Sequence, residues 1–66
     1  MTSQLPKLVS LHQCDNRTAK VYRLPVEGFE VHCIVRGAGV VDQQEHETQD
    51  NATECALEWA RGAKFN

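Results

Sequence analysis

Phe29-Glu30-Val31-His32-Cys33-Ile34-Val35-Arg36, with Gly37-Ala38-Gly39 directly after it, is the stretch on which the fold turns. Phe29, Val31, Cys33 and Val35 point one way, and Glu30, His32, Ile34 and Arg36 the other. That period of two is the signature of a β-strand. The glycines behind it supply a tight reversal, so the next segment returns antiparallel.

Upstream, Pro25-Val26-Glu27-Gly28 reads as a turn, because Pro25 has no N–H for a central ladder. Thr18 to Leu24 is rich in β-branched and aromatic residues and reads as a strand. Its faces are Ala19/Val21/Arg23 and Lys20/Tyr22/Leu24, and the pattern does not choose between them. Asp15-Asn16-Arg17 is a turn, since Asp and Asn tolerate left-handed backbone. Before it, Lys7 to Cys14 alternates Val9 and Leu11 with Ser10 and His12, a half-buried strand. Residues 1–6 read as a loose tail, and 7–66 as a single domain.

Downstream, Val40 to about Thr48 reads as a fourth strand. Every residue after Val41 is polar, which suits a sheet edge. One helix follows. Asn51 is its expected N-cap, with Glu54 three positions on as in a capping box. Ala52, Cys55, Ala56, Trp59, Ala60 and Ala63 form one apolar stripe over Ala52 to Arg61 and beyond. Gly62 suits the left-handed position after the helix, and Phe65 is expected to fold back over that end. The predicted fold is α+β: an antiparallel meander of three to four strands, with one C-terminal helix packed on one face.

The chain has 66 residues, 41% hydrophobic and 24% charged, an ordinary globular balance. A chain this short hides only ~60% of its unfolded surface, and a large catalytic cleft would consume much of that core. No apolar leader or membrane-length run is present, and three cysteines cannot all pair within one chain. The expectation is a cytoplasmic protein with reduced thiols that does not enter membranes. Asn16-Arg-Thr18 and Asn51-Ala-Thr53 match the glycosylation pattern, but a turn and a helix cap explain them.

His12, Cys14, His32, Cys33, His46 and Cys55 do not show the paired spacing of a structural zinc site. Nor is there a nucleophile elbow, a phosphate loop or a dinucleotide-binding glycine motif. Neither a catalytic residue nor a metal or other cofactor is expected, so the chain reads as a non-enzyme.

Charge is more informative. Residues 1–36 carry a net charge of +2 and residues 37–66 a net charge of −4. Asp42, Glu45, Glu47, Asp50, Glu54 and Glu58 follow one another without a Lys or Arg among them. Glu45 and Glu47 share one strand face, Asp42 takes the other, and Glu54 and Glu58 share the helix surface. Such a run keeps a domain dissolved, or it steers a basic partner into register. Leu57, about 130° from the helix stripe, offers an apolar anchor within that rim. These seven residues are the expected partner-binding site. Arg17, Lys20, Arg23 and Arg36 form the alternative, a surface for nucleic acid, which an acidic chain poor in stacking aromatics favours less.

The order of short strands, a polar last strand from Val40 to Gln49, and a capped helix from Asn51-Ala-Thr-Glu54 to Trp59 resembles small phage-encoded anti-CRISPR proteins, in particular a type I-F inhibitor. The resemblance spans roughly residues 18–62 and carries no functional residue position by position. It implies a phage or mobile-element inhibitor that offers acidic side chains to a basic surface of a host protein or nucleoprotein complex. The chain itself is expected to be a monomer or homodimer. HicB-type antitoxin domains share the strand–strand–strand–helix order, but the Gly-Cys element expected there between strand and helix is missing here.

Overall fold

The computed structural model describes residues 5–62. Residues 1–4 of the expected tail, Ala63 of the stripe and Phe65 lie outside the described residues. Four strands, β1 (Lys7–Cys14), β2 (Arg17–Arg23), β3 (Phe29–Val35) and β4 (Gly39–His46), precede one helix, α1 (Gln49–Ala60). The strands form one antiparallel sheet in the order β1-β2-β3-β4, a meander, and α1 packs mainly over β2 and β3. The fold is α+β, as the alternation and the helix stripe predict.

The register assigns the faces. Ala19 pairs with Cys33 and Val21 with Val31, and all four are fully buried under the helix. This settles β2 in favour of its Ala19/Val21 face. From above, Ala52, Ala56 and Trp59 close the core, with Val9, Phe29, Val35 and Cys55 packed around it. The alanines bring the helix backbone close to the sheet, and Trp59 fills the remaining width. Lys20, Tyr22, Glu30, His32 and Ile34 point to the other face, which no element among the described residues covers.

Strand β1 departs from its simple alternation. The register shifts between Leu8 and Ser10, so Val9 occupies a bulge, and beyond it Ser10 pairs with Val21 and His12 with Ala19. Ser10 and His12 therefore lie on the helix side, and Leu11, paired with Lys20, moves to the uncovered face. One extra residue reverses every side chain after it. A second shift at Val41 sits in β4, so both edge strands are bulged. Bulges at free edges discourage pairing with another chain.

The helix also begins earlier than expected. Thr48, not Asn51, is the N-cap: its backbone is extended (φ −126, ψ 154), and its Oγ1 accepts from the Asn51 N–H at 3.2 Å. Asn51 already lies inside the first turn. The far end behaves as predicted, with Gly62 at φ +108 and its N–H donated to the Trp59 carbonyl at 3.0 Å.

Candidate partner-binding surface

Strand β4 and helix α1 carry the acidic run, and the period of each element distributes it. On β4, Asp42 pairs with Cys33 and faces the helix side, whereas Glu45 pairs with Glu30 and faces away. Glu47 lies in the bend after β4 and does not share a strand face with Glu45. Asp50 sits in the first helical turn, where the positive end of the helix dipole favours a carboxylate. Glu45, Glu47, Asp50, Glu54 and Glu58 are exposed, and Asp42 is half-buried. Leu57 is 37% exposed.

Two groupings result. Burial pushes the Cys55 thiol pKa up, and the negative charges of Glu58 and Asp42 add to the rise. The Asp42 carboxylate accepts from the Gln43 N–H at 2.9 Å and from Gln44 Nε2 at 3.0 Å, so its geometry is fixed locally. At the other end of β4, Glu45 and Glu47 line a cleft with His46, Thr48, Gly28 and Glu27. His46 Nε2 is buried there and has no hydrogen-bond partner among the described residues. Sequence reasoning misses Glu27, because it belongs to the net-basic half of the chain. The signal for it lies in the meander: the β2–β3 turn and the end of β4 must fall at the same end of the sheet.

The expected acidic run, here called the acidic ridge, thus spans the β4 edge strand, the bend after it and the helix surface. Its members are Glu45 on the uncovered face, Asp42 on the helix side of β4, Glu47 in the bend, and Asp50, Glu54 and Glu58 on the helix. Among the basic residues, Arg17 has a structural engagement. Its Nη1 donates to the Trp59 carbonyl at 3.0 Å, and its guanidinium lies 4.9 Å from the Trp59 ring centroid. Among the described residues, no group of three or more His, Cys, Asp or Glu is placed to hold a metal ion, and no helix is long and apolar enough to cross a membrane.

No family model matches the chain, and neither a curated protein nor a solved structure matches it.

Proposed function

We propose that the chain is a small non-enzymatic protein-binding module of a phage or mobile element. It meets a basic surface of a host protein or nucleoprotein complex through the ridge around β4 and α1. The observation that carries this reading is the placement of Asp42, Glu45, Glu47, Asp50, Glu54 and Glu58 around one sheet edge and the helix above it, five of them exposed. Charge of one sign concentrated in one strand–helix segment steers encounter and fixes orientation more than it adds to fold stability. A basic surface that normally holds nucleic acid offers the complementary field, which makes competition for that surface the mode of inhibition. The cytoplasm, where such a complex works, is the compartment this reading requires.

The experiment is affinity capture from host lysate with the native protein and with a Glu47→Lys/Glu54→Lys/Glu58→Lys variant. These side chains are exposed, so circular dichroism and melting should show the variant folded. Proteins retained by the native chain, released by raised salt and absent from the variant's eluate are the expected result. Equal retention by both proteins overturns the proposal.

A further inference from the structure

The uncovered sheet face has an arrangement that the acidic ridge does not explain. A solvated antiparallel face ordinarily presents polar side chains. Here Leu8, Leu11 and Tyr22 occupy one corner, at the β1–β2 side, and Ile34 and Val40 occupy the diagonally opposite corner, at the β3–β4 side. Leu8, Leu11 and Val40 are 46%, 49% and 49% exposed. Lys20 and His32, a cross-strand pair, lie between the two corners. The centre is ordered: His32 Nε2 is 2.7 Å from Glu30 Oε1, and the His32 and Tyr22 rings are 4.6 Å apart.

We propose that this face binds a second copy of the chain, with the two-fold axis along the apolar diagonal. The sheets then cross at a steep angle, which is the orthogonal class of sheet packing. That axis returns each apolar corner onto its own copy. It also exchanges the two remaining corners, which are the acidic one with Glu30 and Glu45 and the neutral one with Gln13 and Thr18. Glu45 of one copy therefore meets Gln13 of the other, and Lys20 reaches Glu30. An axis across the diagonal would set Glu45 on Glu45.

Charge selects this occupant over others. The face carries Lys20 together with Glu30 and Glu45, so a partner of one sign is repelled by part of it, whereas a second copy supplies both signs in the required places. The area is small. Four strands at ~4.8 Å spacing, with residues at ~3.3 Å, present ~500 Å² per copy, and crossed sheets overlap over ~400 Å² of it. The pair buries ~800 Å², the size of a weak, transient contact. The expected association is therefore weak and reversible. Of the acidic ridge, the pair takes up Glu45 alone; Glu47 and the acids on the helix side stay free, so the dimer displays two ridges shortened by that residue.

Sedimentation equilibrium from about 5 to 500 µM tests the proposal. A reversible monomer–dimer equilibrium is expected. Leu11→Lys and Ile34→Lys should each weaken it at least about tenfold. Lys20→Glu and Glu30→Lys should each weaken self-association, and an equimolar mixture of the two should recover it. Circular dichroism checks whether each variant is folded, and the two charge variants, which remove no apolar side chain, serve if the lysine variants unfold. A chain that stays monomeric throughout, a dimer indifferent to these changes, or folded charge variants that fail to recover on mixing would each overturn the proposal.

Discussion

At the scale of the residue, the cysteines divide by what surrounds them. Cys14 is exposed, Cys55 is half-buried, and Cys33 is fully buried under the helix. Burial pushes the Cys33 thiol from the ordinary 9.0 up to about 12, and the neighbouring Cys55 and Asp42 add to the rise, with Arg17 opposing it. Cys55 moves in the same direction, chiefly by burial. A thiol kept neutral in the fold but free to ionise when unfolded stabilises the fold fully below the unfolded value. That contribution is lost as pH climbs from about 9 towards 12. The melting temperature should therefore fall above about pH 9, and Cys33→Ala should flatten that alkaline decline while lowering the plateau. At about pH 8 a thiol reagent should label Cys14 at once and Cys33 only as fast as the protein opens. Equal labelling rates for the two would mean that Cys33 is not enclosed.

At the scale of the element, the helix shows which features can be read locally. Its apolar stripe and Gly62 stop are legible in the sequence, because both depend on spacing within one segment. The start is not, since Thr48-Gln-Asp-Asn51 offers more than one capping side chain, and Thr48 is the residue whose backbone is extended. The bulge at Val9 is equally hidden, because it exists only in the pairing of β1 with β2. Arg17 is the clearest case. Its sequence neighbours give no hint that it will reach the Trp59 carbonyl, 42 positions away. Once there, it supplies the positive charge that the last helical turn itself lacks. Arg17→Ala should cost about 1–2 kcal/mol, because it removes a charge-assisted hydrogen bond and a cation–π interaction at once. Arg17→Lys should recover less than half of that, because an ammonium lacks the planar surface that stacks on an indole. Urea melts of the two variants measure the difference, and equal stability of Arg17→Ala and the native chain would remove Arg17 from the helix end.

At the scale of the whole molecule, strand alternation and turn chemistry are enough to specify the meander and the helix layer. The candidate surface is only partly legible. The period of two already sets Asp42 and Glu45 on opposite faces, but the strand ends before Glu47 can share the face of Glu45, and Glu27 joins Glu45 and Glu47 only when the sheet closes. The same two-layer geometry makes the core narrow. Its fully buried side chains are no larger than Val21, Val31 and Cys33, and the helix contributes alanines apart from Trp59. One indole therefore supplies most of the helix's apolar area against the sheet. At ~0.05–0.15 kcal/mol per residue, a chain of this length is stable by only ~3–10 kcal/mol, and Phe/Trp→Ala changes in a core cost ~3–5 kcal/mol. Trp59→Ala should accordingly be largely unfolded or molten at room temperature, while Trp59→Phe, which keeps a ring between helix and sheet, should still melt cooperatively at a lower temperature. Near-ultraviolet circular dichroism and thermal melts separate these outcomes. A Trp59→Ala protein as stable as the native chain would mean that the helix is held by something other than the packing of Trp59 on β2 and β3.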